Sequence, residues 1–215
     1  MSDPVRRPER TRVAVFARAP VAGAVKTRLA GALGAERAAE LHARLVRHAL
    51  ATALAANVGP VELWCAPDAA HPFFAACAAE LGVTLHAQRG DDLGARMHGA
   101  FEHAAASGDA LVVIGSDCPA LSAQHLRDAA AALAARDAVF APAEDGGYVL
   151  VGLARPVAPL FEDIVWGGST VMAQTRLRLV ACGLAWKELA TLWDVDRPED
   201  VARLERAGWP FARPR

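Results

Sequence analysis

Several polar breaks interrupt an otherwise apolar chain, and their residue types set the chemistry open to it. In "VAVFARAPVAGAVKTRLA" (13–30) a short apolar run breaks at Pro20 and Gly23, then presents Lys26 and Arg28 just before a long helical pattern. A loop of small residues exposes backbone N–H groups, and two cations at a helix mouth attract phosphate through charge-assisted hydrogen bonds and the helix dipole. On this loop alone, solvated surface charge is an equal reading. The stretch contains neither a G-x-G-x-x-G fingerprint nor a G-x-x-x-x-G-K-[ST] loop.

The carboxylates sit at comparable junctions. "IGSDCPAL" places Asp117 directly after an apolar run and before Pro119, with Ser122 in position to cap the next helix. Such a carboxylate is either a structural cap or a ligand for Mg²⁺ or Mn²⁺, which take one or two carboxylates together with phosphate oxygens. "APAEDGGYVLVG" puts Glu144 and Asp145 before Gly146 and Gly147, which suits close approach of a ligand or a plain hairpin turn. In "LWDVDRPEDVARL" Asp194 and Asp196 are read as ending a short strand, whose alternation would aim them at opposite faces. "QRGDDLGARM" brings Gly94 and Arg96 to a helix start, and "WGGSTV" puts Trp166, Ser169 and Thr170 at another, ready for an anion or merely capping.

These groups need a frame that gathers strand ends. β-type runs at 13–18, 61–66, 83–88, 110–116 and 138–143 alternate with helical patterns over roughly 34–56, 71–81, 93–106 and 122–135. Continuous apolar strands are covered on both faces, so the expectation is an α/β fold, a single-domain, doubly wound, mostly parallel sheet. Past residue 144 the rhythm changes. The run 148–154 follows "DGG" without a crossover helix, so antiparallel strands are expected in the second half, with a helix near 169–182 and another opened by Pro198. Residues 1–12 read as a flexible tail and 13–215 as the domain. In open α/β sheets ligands lie at the carboxyl ends of strands, where all the junctions above fall.

Composition excludes other classes. The 215 residues are 53% hydrophobic and 22% charged with a net charge of −1, which gives no electrostatic reason to bind nucleic acid. No apolar stretch approaches the roughly 18 to 20 residues that span a bilayer, so a cytoplasmic protein without a membrane partner is expected. Cys65, Cys77, Cys118 and Cys182 lack metal-ligand or C-x-x-C spacing and read as reduced thiols. His42 and His48, on the first long helix, read as surface or internally satisfied residues.

In order, "P-x-A-G-x-V-K-T-R-L", "G-D-L-G-x-R-M", "G-S-D-C-P", "E-D-G-G-Y-x-L-x-G-L", "W-G-G-S-T-V" and "D-V-D-x-P-E-D" resemble a family of small bacterial glycosyltransferase-A-type, or selenodomain-associated, transferases. The resemblance covers nearly all of the chain after residue 12. More distantly, the chain is similar to 2-phospho-L-lactate guanylyltransferase and molybdenum-cofactor guanylyltransferase, which share the nucleotide-diphospho-sugar transferase fold. The resemblance implies that Lys26 and Arg28 meet nucleotide phosphates, with Ala17, Arg18, Gly23, Gly94, Arg96 and Ser116 around the nucleotide. It implies that Asp117 and Asp194 hold Mg²⁺ or Mn²⁺, with Asp196 as second choice for the later ligand. Asp145, Gly146, Gly147, Tyr148, Trp166, Ser169 and Thr170 would line the acceptor side. Lys26, Arg28, Asp117 and Asp145 form the expected catalytic set.

Two departures stand out. The first loop lacks the "L-A-G-G-x-S-x-R-M-G" pattern of sugar nucleotidyltransferases, and "S-D-C-P" stands where glycosyltransferases often carry D-x-D. The expected partners are an NTP or nucleotide sugar and a small acceptor, with a homodimer left open. The expected reaction is metal-assisted nucleotidyl transfer to a small phosphorylated acceptor. Glycosyl transfer, with Asp145 or Glu144 as general base, and noncatalytic nucleotide binding are the alternatives.

Overall fold

Strand β1 (Thr11–Arg18) shows how the molecule is layered, because its side chains divide between two cores. Val13, Val15 and Ala17 pack on one side, Ala14 and Phe16 on the other. A strand alternates its side chains, so burial of both sets requires helices on both faces of the sheet. The computed structural model describes residue 8 and residues 10–209. Most of the expected tail, residues 1–7 and 9, lies outside the described residues, and Thr11 and Arg12 already belong to β1.

After β1 the chain makes a 3-10 turn (Thr27–Leu29), a short helix α1 (Ala30–Leu33) and a long helix α2 (Ala35–Ala56). There follow β2 (Val61–Ala66), α3 (Pro72–Leu81), β3 (Thr84–Ala87), α4 (Leu93–Ala105), β4 (Ala110–Gly115), α5 (Ala123–Leu133), β5 (Ala138–Pro142) and β6 (Tyr148–Leu153). The last elements are α6 (Val171–Ala181), β7 (Trp186–Glu188) and α7 (Pro198–Arg206). The 7-stranded sheet runs β3-β2-β1-β4-β6-β5-β7. All pairings are parallel except those of β6 with β4 and β5, so the expected mixed sheet is what forms. The order reverses between β1 and β4, which opens a crevice beyond their carboxyl ends.

One core holds α2, α3 and α5 against the sheet through Leu50, Phe74, Leu126 and Leu133; the other holds α4 and α6 through Phe101, Met172 and Leu179. A third, smaller cluster matters more for the site. Leu29, Leu41, Leu45, Val195, Val201 and Leu204 are buried together and join the loop after β1 to the segment before α7. Each buried leucine contributes roughly 1.5–3 kcal/mol, enough to hold two loops that share few backbone bonds.

The expected strand ending at Asp194 and Asp196 is absent. Leu192 forms only an isolated bridge with Ala143, and the strand that joins the sheet there is the unexpected β7. Leu192 donates its N–H to Pro142 O at 2.9 Å and accepts from Glu144 N at 2.9 Å, after which the chain turns toward α7. The D-G-G segment does make the β5–β6 hairpin, with Ala143 N donating to Gly147 O at 3.0 Å. All four cysteines are free thiols; burial pushes Cys65 up to about 12 and Cys118 up to about 11, which keeps both unreactive. Among the described residues no helix is long and apolar enough to cross a membrane.

Candidate functional site

The loop after β1 carries an unusual backbone. Lys26 lies in the left-handed region, φ 48° and ψ 39°, and opens the 3-10 turn whose Leu29 is buried. A non-glycine residue held there costs of order 1 kcal/mol or more, and the surroundings offset it. Lys26 Nζ lies 2.9 Å from Asp117 Oδ2 and also donates to the carbonyl of Val195. The Val195 N–H in turn donates to Asp117 O at 2.8 Å. One residue, Val195, therefore joins the loops after β1 and β4 to the segment before α7.

Asp117 has a second neighbour that the sequence reading missed. His42 is 4% exposed, and its Nε2 lies 3.0 Å from the carbonyl of Arg18, so that nitrogen carries a proton. Its Nδ1 is buried without a hydrogen-bond partner and faces Asp117 Oδ1 at 3.7 Å. Burial pushes the Asp117 carboxyl up, but the Lys26 charge and then His42 more than offset this, holding it well below the usual carboxylate range. A histidine seven positions into an amphipathic helix carries no sequence signal of this role; only the crossing of α2 under the β1 loop does.

Arg28 pairs with Asp196. This pair lines two adjoining cavities. The larger, about 730 Å³, is bordered by Ala17, Arg18, Lys26, Arg28, Arg96, Ser116, Asp117 and Asp196, all expected in the site, and by His42 and Gln88. The second, about 400 Å³, is bordered by Arg28, Glu144, Asp145, Ser169, Asp194 and Asp196. A third, about 430 Å³ and mostly apolar, adjoins the first at Arg18 and Arg96 and is walled by Ala19, Val21, Ala66, Pro67 and Gln88. The Gln88 amide donates to Trp64 O at 2.8 Å.

Asp194 is pushed up to about 6, first by burial and then by the like charges of Asp145 and Asp117. Asp196, instead of facing away along a strand, pairs with Arg28 and borders the second cavity together with Asp194, so the opposite-face expectation fails because the chain turns there. The Asp145 carboxylate accepts from Gly147 N at 2.9 Å, within the hairpin turn.

Other expected positions lie away from these three cavities. Gly94 is buried at the start of α4, where a Cβ would lie 2.7 Å from Phe161 O and 2.8 Å from Trp166 Cζ2, and it borders none of the three cavities. Gly23, at φ +78° with open space around it, also borders none of them. The close approach at Gly146 is intramolecular: a Cβ would stand 2.0 Å from Ser169 O, at φ +92°, and Gly146 O accepts from Met172 N at 2.9 Å. Tyr148 packs against Phe140 and Trp166, and both its hydroxyl and Trp166 Nε1 are buried without partners. Thr170 Oγ1 accepts from Gln174. Gly147, Tyr148, Trp166 and Thr170 border none of these three cavities.

The fold is that of the nucleotide-diphospho-sugar transferase class. The chain belongs to the family described as uncharacterized proteins conserved in bacteria (DUF2064), whose sequence profile matches residues 49–168. It is 31% identical to a Desulfovibrio desulfuricans G20 protein of known structure, assigned by inference as a nucleotide-diphospho-sugar transferase, with a TM-score of 0.84 over 94% of this chain and 89% of that one. The fold is also that of CMP:2-keto-3-deoxy-manno-octonic acid synthetase in complex with CTP, at 14% identity and a TM-score of 0.61 over 93% and 98% of the chains. A manganese complex of Rv0371c from Mycobacterium tuberculosis H37Rv is similar at 20% identity and a TM-score of 0.57, over 92% and 99%. No curated protein matches the chain.

Proposed function

We propose that this protein is a divalent-metal-dependent nucleotidyltransferase that moves the nucleoside monophosphate of an NTP to a small phosphorylated acceptor. The observation that carries the reading is the pairing of Lys26 with Asp117 and of Arg28 with Asp196 across one cleft. Opposite charges waiting on each other are the arrangement that a metal–triphosphate complex, itself carrying both signs, can replace pair by pair. The apolar cavity beside Arg18 suits a planar base, with the Gln88 amide at its edge. The inferred activity of the Desulfovibrio relative and the CTP bound to the synthetase support a nucleotide as donor.

Asp117 and Asp194 are the residues to hold Mg²⁺ or Mn²⁺. The donors are oxygen, and the repulsion that raises Asp194 is what a cation relieves. When bound, the metal polarises the α-phosphate and offsets charge on the leaving group. Lys26 and Arg28, released from their carboxylates, hold the β- and γ-phosphates in line. An oxygen of the acceptor phosphate, already an anion, attacks the α-phosphorus; the bond to the bridging oxygen breaks and pyrophosphate leaves, so no general base is needed. The acceptor enters from the cavity bordered by Asp145 and Ser169.

A second reading, transfer of a sugar from a nucleoside diphosphate sugar, is favoured by the relative's assigned class and would employ Asp145 as base. Incubation with each NTP or sugar nucleotide, Mg²⁺ and a panel of small phosphates and alcohols separates them. Pyrophosphate release is expected; NDP release from a sugar nucleotide would install the second reading instead. Absence of any Mg²⁺-dependent stabilisation by nucleotides would overturn both.

A further inference from the structure

A separate cluster lies away from the cleft. Glu62 is the second residue of β2, His86 lies on β3, and His103 is in the last turn of α4, whose first turn borders the cleft. The three therefore sit at the β3 edge of the sheet, under the last turn of α4. Their donor atoms all lie within 4.8 Å of one another, the single such grouping of three among the described residues.

We propose that Glu62, His86 and His103 form a second metal site, selective for a first-row transition ion such as Zn²⁺ and distinct from the oxygen-lined cleft. His86 Nε2 is 3.7 Å from Glu62 Oε2, and His103 Nε2 is 3.9 Å from Glu62 Oε1. The two contacts are to different Glu62 oxygens and the donor set spans up to 4.8 Å; tetrahedral zinc with bonds of about 2.0 Å separates its ligands by about 3.3 Å, so closure needs side-chain shifts of up to about 1.5 Å. Two imidazoles and one carboxylate leave a position for water and favour zinc over magnesium. His86 stacks on Trp64, ring centroids 4.9 Å apart. That contact accounts for the ring face and not for its Nε2, which is buried without a hydrogen-bond partner.

The surroundings orient the carboxylate. Glu62 is 3% exposed and accepts from Arg12 Nη1 at 2.8 Å and from Trp64 Nε1 at 3.0 Å, one on each oxygen. An ionised carboxylate has about four acceptor positions, so both oxygens keep capacity for an ion. The Arg12 charge that would oppose a cation is shared with buried Asp109, which takes Arg12 Nε at 2.6 Å. His103, 44% exposed in its side chain, provides the entry path.

Calorimetry with Zn²⁺ on the full chain, in excess Mg²⁺ to occupy the cleft, tests this, with Co²⁺ absorption reporting the ligand field. Binding of one ion per chain is expected. His103→Gln and His86→Gln should each weaken it on the order of 100-fold or more, with Asp117→Asn within about two-fold of wild type. His103 is exposed, so its variant should melt like the wild-type apoprotein, and loss of the Co²⁺ spectrum there cannot be ascribed to unfolding. Absence of Zn²⁺ binding, or binding that survives both histidine variants, would overturn the proposal.

Discussion

Lys26 and Asp117 lie 91 positions apart in the sequence, yet the ammonium is 2.9 Å from the carboxylate, and both are tied to the backbone of Val195. The contact fixes where the loop after β1 meets the loop after β4. It also makes the resting cleft a set of satisfied charges that a ligand must exchange.

Replacing Lys26 by Met should therefore act on both stability and turnover. Asp117 is held below its ordinary value, so its ion pair stabilises the fold above that ordinary value, and the contribution is lost as pH falls through the depressed one. Because the Asp117 side chain is 43% exposed, the loss at pH 7 should be a discounted ~1 kcal/mol, fading in acid. Nucleotidyl transfer should fall by about 100-fold or more, as for loss of one charge-stabilising donor. Thermal melts at pH 7 and pH 3, with a pyrophosphate assay, check this.

Asp194 has the opposite sign. Its carboxyl is raised to about 6, so the folded state binds the extra proton between the ordinary value and about 6, and stability falls as pH rises through that window. Asp194→Asn should thus stabilise the metal-free protein by about 1–3 kcal/mol at pH 7.5 and add little at pH 4. The same variant should abolish the Mg²⁺-dependent gain in melting temperature with nucleotide. A melt of the variant no higher than wild type at pH 7.5 would contradict the assignment.

His42→Gln tests positioning. The imidazole meets Arg18 O on one side and faces Asp117 on the other. We expect turnover to drop about 10-fold and the acid limb of its pH profile to move upward, since one cause of the low Asp117 value is removed. A change in turnover with an unmoved profile would mean a packing role alone.

Gly146→Ala should cost more than about 2 kcal/mol, because the new Cβ would stand 2.0 Å from Ser169 O at a backbone angle of +92°. Denaturant unfolding measures it, and a neutral result would show that the hairpin can leave the start of α6.

Leu29→Ala removes a fully buried side chain from the cluster that clamps the cation loop to Val195. A loss of about 2–5 kcal/mol is expected, with weaker nucleotide binding, because Lys26 and Arg28 ride on the same turn.

By itself the sequence determined the α/β frame, since uninterrupted apolar strands and amphipathic helices can be buried only in a layered sheet. It also determined that Lys26, Arg28 and Asp117 stand at strand ends, because apolar runs stop there. Tertiary structure decided how these groups pair. The pairing of Lys26 with Asp117, the approach of His42 beneath the β1 loop and the meeting of Asp194 and Asp196 on one cavity with Arg28 depend on chain segments more than 20 residues apart meeting in space. So do the intramolecular contacts of Gly94, which the resemblance sets beside the nucleotide, and of Gly146, whose spacing reads equally as room for a ligand or as a hairpin turn. Periodicity encodes which face of an element is buried; which partner fills that face is set only when distant elements pack together.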